Sequence, residues 1–177
     1  EAGGTLVMLD WFTSGRRANG ESWEFSSYNS VNCVRVRGTT VFHDNVLLVN
    51  NELASVAERM GRAHIMGTLV LVGPRVAHVV RMLANRTMPP LVQHCFTRCR
   101  AISSPLDNSR PEAVGGAAEM AGLPFFFVSA SPVGTSGDGV SIRIAAENTD
   151  EAYAFVHECL RPLQDQIGLS PFASLRC

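Results

Sequence analysis

The chain of 177 residues contains no lysine, and all fifteen of its basic residues are arginines. This absence excludes the Walker A lysine of nucleotide-binding loops, a lysine Schiff base and the lysine of protein kinases. If a nucleoside triphosphate takes part in the function, we therefore expect a partner protein to bind it.

Charge is also scarce. Charged residues make up 18% of the chain, the formal net charge is -1 and the sequence pI is about 6.6. These values give no basis for a nucleic-acid footprint or for a polybasic patch that binds membranes. They are also low for the surface of a soluble monomer, so we expect partner proteins to cover part of the surface.

Long hydrophobic runs are missing as well. The apolar stretches 65–72 and 123–130 are far shorter than the roughly 20 residues that cross a bilayer, so no transmembrane span is expected. The chain starts at Glu1 without a signal-type segment and therefore looks processed or cut. Its five cysteines form no closely spaced framework, which favours a reducing compartment, with the cytoplasm as the default.

Hydrophobic patterning predicts a single, mainly β domain over residues 1–177 with two or three helices. Asp44 and Asn45 are expected to form a turn or bulge between the predicted strands 40–42 and 46–49. A short helix is predicted from the spacing of Leu53, Val56 and Met60, among others. The predicted strands cover residues 5–12, 31–37, 40–42, 46–49, 64–72, 123–129 and 140–146.

Two further helices are predicted with clearer signals, one from about residue 76 to 86 and one near the C-terminus. The loop-rich stretch between residues 87 and 122 has a weaker pattern and is compatible with a short helix at 111–121. The C-terminal helix has the best pattern, because Asn148 provides an N-cap, Glu151 stands at the capping-box position and an apolar stripe follows.

A dense cluster of polar, glycine and aromatic residues follows the first strand. Its members are Asp10, Trp11, Thr13, Ser14, Gly15, Arg16, Gly20, Glu21, Trp23 and Phe25, with Tyr28 as a further aromatic. This order resembles the D-W-x-T-S-G-R and G-E-x-W-x-F signature of the urease accessory protein UreD family, called UreH in some bacteria. Similar pieces follow in the family's order at Asp44, at 46–48, at 69–74 and at 139–146, before a C-terminal helix.

The resemblance implies a fold and a function. UreD proteins have a two-layered, β-helix-like arrangement of strands with a few helices, and they carry a β-rich segment before the signature that this chain lacks. By resemblance, we expect the protein to be a scaffold and not an enzyme. It would link urease apoprotein to a UreF–UreG complex, in which UreG is the nickel-carrying GTPase, and would guide nickel in transit without a tightly bound cofactor.

Carboxylates are the candidates for a nickel passage, because oxygen ligands hold nickel more loosely than thiolates do. The candidates are Glu21, Asp44 and Asp10. We expect Asp10 to be structural, because the amides of 13–15 can satisfy it, and Glu21 to face the passage, because it has no comparable local donors.

Three other interpretations remain open. Asp10, Ser14 and one of the five histidines are compatible with a small serine hydrolase, although no G-x-S-x-G elbow is present. A zinc or nickel site is possible at His94, Cys95 and Cys99. Arg143 should face away from the apolar side of its strand, where it would be either solvated or in contact with a partner.

Overall fold

The computed structural model describes residues 3–84, 125–134 and 139–164. Six strands and three α-helices lie in these ranges. The strands are β1 Leu6–Thr13, β2 Ser27–Val36, β3 Thr39–Val49, β4 Ile65–Val72, β5 Phe126–Val133 and β6 Gly139–Ala146. The helices are α1 Val56–Met60, α2 Ala77–Ala84 and α3 Thr149–Leu160.

The strands form two antiparallel sheets. The larger sheet has the order β1-β4-β6-β5, and the smaller one is the hairpin of β2 and β3. The two strands of the hairpin meet at Arg37 and Gly38, both of which have positive φ angles, as a two-residue hairpin turn requires. The expectation of a mainly β fold with a C-terminal helix is therefore confirmed.

One face of the larger sheet carries the main hydrophobic core. Leu69 and Leu71 of β4 and Ile142 of β6 are fully buried there, because α2 and α3 cover them. The C-terminal helix begins as its sequence predicts: the side chain of Asn148 accepts a hydrogen bond of 2.9 Å from the backbone N–H of Glu151.

The hairpin covers the opposite face of the larger sheet and packs against it through apolar contacts near both ends. Close to the hairpin turn, Val34 and Phe42 pack with Val70 and Val133. Near the other end lies an aromatic cluster, in which ring centroids of neighbouring members are 4.4–6.2 Å apart. Its members are Phe12, Trp23, Phe25 and Tyr28.

Three local predictions are wrong. Asp44 and Asn45 form no turn, because they pair with Asn32 and Val31 inside the continuous strand β3. Leu53 does not belong to the helix: Ser55 caps α1 with a complete capping box, and the Leu53 side chain is 95% exposed. Strand β5 continues through 131–133, beyond the predicted strand end at residue 129.

Candidate functional site

A polar row crosses the hairpin-facing side of the larger sheet. Asp10 of β1 pairs with Thr68 of β4, Thr68 pairs with Arg143 of β6, and Arg143 pairs with Ser129 of β5. Paired residues of antiparallel strands point to the same face, so four polar side chains lie side by side. Towards either end of the strands, apolar and aromatic contacts join the two sheets. The polar groups therefore occupy the middle of an otherwise apolar interface.

The hairpin adds two polar residues above this row. Asn32 donates a hydrogen bond of 2.5 Å from Nδ2 to Oδ2 of Asp10. Asp44, which pairs with Asn32 across the hairpin, is only 3% exposed. Its Oδ1 accepts a hydrogen bond of 2.6 Å from Nη2 of Arg143, and its Oδ2 accepts one of 3.3 Å from the Thr68 hydroxyl. Polar contacts therefore tie both hairpin strands to the larger sheet.

A cavity of about 280 Å³ lies between the sheets at this level. Asp10, Asp44, Thr68 and Arg143 contribute to its wall, together with Phe12, Met66 and other residues of both sheets. The Arg143 side chain is 62% exposed, so the cavity reaches the surface there. With two carboxylates and one guanidinium, its wall carries a formal charge of -1, which attracts cations.

The two carboxylates are not equivalent. Asp44 is paired with a positive charge, whereas the hydrogen bond to Asp10 comes from a neutral amide. The expectation that the amides of 13–15 satisfy Asp10 is wrong, because Asp10 lies inside β1 and its carboxylate turns towards the hairpin. Arg143 does face away from the apolar side, as expected, but it makes an ion pair within the chain.

Glu21 lies in a different place. It closes the turn after β1 by accepting hydrogen bonds from the backbone N–H and the guanidinium of Arg16, the shortest at 2.6 Å. These bonds lower the pKa of Glu21 below its usual value. Gly15 has a φ of 135°, and a Cβ there would lie 3.0 Å from the Glu21 Cβ, so the turn requires glycine. The expectation that Glu21 lacks local donors is therefore wrong.

The second half of the signature anchors the turn in the protein interior. The Trp23 side chain is 2% exposed, and its Nε1 donates a hydrogen bond of 2.9 Å to the carbonyl of Ala63. Its backbone N–H donates to the carbonyl of Ser14 at 2.7 Å, and the N–H of Ser14 donates to the carbonyl of His64 at 2.8 Å. The signature thus joins the end of β1 to the start of β4.

The structure does not assemble the hydrolase triad. Ser14 Oγ and His64 Nδ1 are 3.2 Å apart, but the hydrogen bond from Asn32 holds the carboxylate of Asp10. Four residues along an extended chain span roughly 13 Å, so Asp10 is too far from Ser14 to orient its histidine. Ser14 is also only 3% exposed. The contact between Ser14 and His64 therefore attaches the turn, and Asp10 does not complete a triad with them.

The proposed metal site at His94, Cys95 and Cys99 lies outside the described residues, as does the possible helix at 111–121. Within residues 3–84, 125–134 and 139–164, no group of three or more His, Cys, Asp or Glu side chains is placed to hold a metal ion. None of the helices in these ranges combines the length and hydrophobicity that crossing a membrane requires.

Sequence reasoning did not identify Asn32 and Thr68 as parts of the site. Thr68 is the polar exception in the otherwise apolar strand β4, and this position was a usable signal. Asn32 gave no comparable signal, because its role depends on the register between β2 and β3 and on the packing of the hairpin over β1.

The fold and site define a strand-rich, two-layered class of protein with a cation-attracting cavity between its layers. Comparison with known families makes the assignment specific. The family model described as UreD urease accessory protein matches residues 1–177. The chain therefore belongs to the UreD family, which confirms the resemblance carried by the signature.

Individual relatives agree with this assignment. The chain is similar to urease accessory protein D of Oryza sativa subsp. indica, with 32% identity over 94% of this chain and 52% of the relative. It is also similar to urease accessory protein D of Arabidopsis thaliana, with 31% identity over 95% of the chain and 55% of the relative. Urease accessory protein UreD of Anaeromyxobacter sp. is 29% identical to this chain, over 97% of this chain and 47% of the relative.

The chain thus spans about half the length of these curated relatives. Their names are those of accessory proteins and not of enzymes, in agreement with the prediction of a non-enzymatic protein.

Proposed function

We propose that this protein acts in urease maturation as a scaffold that links urease apoprotein to a UreF–UreG complex and helps to guide nickel to the urease active site. The match of the UreD family model to residues 1–177 carries this proposal. The absence of lysine agrees with GTP being bound by a partner, which in this proposal is UreG. The cytoplasm is the proposed location, because urease maturation would bring the protein together with these partners there.

Within this chain, the cavity between the sheets supports the nickel step best. Asp10 and Asp44, two of the three carboxylate candidates for a nickel passage, line the same cavity. Carboxylate oxygens bind nickel weakly enough for the ion to move on, whereas a site of thiolates and imidazoles would retain it. The ion is cargo in this proposal, and no resident metal is required.

Asp10 is the better candidate of the two for contact with the ion. Its charge has no positive partner among its hydrogen bonds, and Asn32 fixes only one of its oxygens. Glu21 is a weaker candidate than the sequence indicated, because its ion pair with Arg16 already closes the signature turn. We therefore propose that Asp10 contacts the ion and that Glu21 stabilises the turn.

Arg143 is the proposed contact with a partner protein. Its side chain is largely exposed although Nη2 is bonded to Asp44, so a partner protein can reach it. Arginine is favoured at protein interfaces because its planar group donates several hydrogen bonds at once.

The test is urease activation in cells that lack their own UreD protein. We expect expression of this protein to restore urease activity. The Asp10→Asn variant should pull down the same partners but deliver at least threefold less nickel per urease active site at limiting nickel. Activation that does not depend on this protein would refute the maturation role. Normal nickel delivery by Asp10→Asn would remove the passage from the proposal and leave the scaffold.

A further inference from the structure

Arg143 and Asp44 form an ion pair whose two partners differ greatly in exposure. The Asp44 side chain is 4% exposed, whereas the Arg143 side chain is 62% exposed. Asp44 is almost fully buried, and its backbone is held within β3 by pairing with β2. Arg143 can turn outward, because its long side chain already lies largely in solvent. The ion pair therefore has one fixed partner and one mobile partner.

The contacts of Arg143 also show how it can be displaced. It reaches Asp44 through Nη2 at 2.6 Å, without the bidentate geometry that makes arginine-carboxylate pairs strongest. Thr68 holds the other Asp44 oxygen at 3.3 Å and would remain in place if Arg143 left. A buried carboxylate that loses its counter-ion needs another cation close by, because an uncompensated buried charge is costly.

We propose that Arg143 is a displaceable counter-ion for the cavity: it neutralises Asp44 when no metal is present and turns outward when a divalent cation enters between Asp44 and Asp10. This inference rests on the proposed function, since it describes how the same cavity is regulated. It also gives the two carboxylates separate roles. Asp10 provides the standing negative charge, and Asp44 becomes available only when Arg143 leaves.

Titration of the purified 177-residue chain with nickel chloride, followed by calorimetry, tests this proposal. Arg143→Gln removes the competing charge, so we expect it to bind Ni²⁺ at least tenfold more tightly than the unmodified chain. Arg143→Lys is the matched control. It retains the charge and can replace a contact made through one nitrogen, so its affinity should stay within threefold of the unmodified chain.

The double variant Arg143→Gln with Asp44→Asn should lose the gain, because the freed carboxylate is gone. Equal Ni²⁺ affinity in Arg143→Gln and the unmodified chain would overturn the proposal, and so would a gain that persists in the double variant. If Arg143→Gln does not fold without metal, recovery of its circular dichroism spectrum on addition of Ni²⁺ supports the proposal. No recovery overturns it.

The outcome can be separated from that of the proposed function. If Arg143→Gln binds Ni²⁺ more tightly but Asp10→Asn and Asp44→Asn activate urease normally, the counter-ion mechanism is correct and the nickel passage is not. If those variants reduce nickel delivery but Arg143→Gln shows no gain in affinity, the passage remains and the displacement of Arg143 is refuted.

Discussion

The two faces of the four-stranded sheet have the same backbone and opposite chemistry. On the helix-facing side, residues such as Leu69 and Ile142 are completely buried in a continuous apolar core. On the hairpin-facing side, apolar packing is confined to the two ends, and the middle holds a cavity with carboxylates and an arginine. The helix-facing side thus contributes most of the apolar packing. The hairpin-facing side is packed less completely, because its middle contains polar groups and a cavity.

The difference between the two faces identifies the strand positions that apolar packing alone does not explain. Polar groups removed from water cost free energy unless they are bonded, and here each carboxylate has a bonding partner from the opposite sheet. A fully apolar interface would be simpler to stabilise. The polar middle row is therefore the part of the sheet most expected to serve function.

The strongest test of the comparison is a truncation on the helix-facing side. Phe155 of α3 is fully buried, and its ring centroid lies 5.3 Å from that of Phe126. Replacing Phe155 with alanine removes this packing and leaves a cavity, so we expect a loss of about 3–5 kcal/mol in the free energy of unfolding. Urea denaturation of the full chain measures it. Phe155→Leu is the control, expected to lose less than half as much. A loss below about 1 kcal/mol for alanine would mean that this face is not the main source of stability.

The polar face should respond less, and unequally for the two members of its ion pair. Arg143→Gln leaves Asp44 buried without a counter-charge, and we expect a loss of about 2 kcal/mol, less than for a fully buried pair because Arg143 is exposed. Asp44→Asn retains the shape and most hydrogen bonds, and should cost about 1 kcal/mol or less. Urea denaturation of both variants checks the order. The reverse order would show that Asp44 does not depend on Arg143 for its charge.

The sequence predicts the helix-facing side well and the polar face only in part. Alternation identified Arg143 as pointing away from Ile142 and Ile144, and the capping residues identified the start of α3. These features are local, so they can be seen in a single stretch of chain. The hydrogen bond from Asn32 to Asp10 joins residues 22 positions apart, and it depends on how the hairpin lies over the sheet.

The signature shows the same limit. Its residues correctly indicated the family. Their separate roles did not follow, because residue type and spacing do not show which donor reaches which carboxylate. Asp10 and Glu21 in effect exchange the expected roles: Glu21 closes the turn with Arg16, and Asp10 faces the cavity.

A smaller effect is expected in the pH dependence of the free energy of unfolding, and it concerns His64 beside the signature turn and not the polar cavity. Burial lowers the pKa of His64, nearby Arg17 lowers it further, and Glu147 opposes this shift. Because the pKa of His64 is lowered in the folded state, the folded protein favours the neutral form of this histidine. Its contribution to stability is therefore present above the usual value of 6.5 and is lost as pH falls through the folded pKa. Urea denaturation between about pH 7.5 and pH 5 should show this decline.

In His64→Gln the part of that decline due to His64 should disappear, while glutamine can still accept a hydrogen bond from Ser14. The same pH slope in the variant and the unmodified chain would assign the decline to other groups. Tryptophan fluorescence, to which Trp11 of β1 and Trp23 of the signature both contribute, reports whether this part of the protein loosens.

The smallest effect is expected at Glu21, and it sharpens the comparison most directly. Glu21→Gln removes a charge at the surface of the turn but can keep accepting hydrogen bonds from Arg16. Because the carboxylate contacts Arg16 and the cavity is lined by other residues, Ni²⁺ affinity and nickel per urease active site should both stay within twofold of the unmodified protein. Asp10→Asn is the matched comparison, since it makes the same acid-to-amide change inside the cavity and should reduce nickel delivery.

If Glu21→Gln reduces nickel delivery while partner pull-down is intact, the passage includes the signature turn after all. The distinction between a structural turn and a cation-attracting cavity would then have to be abandoned.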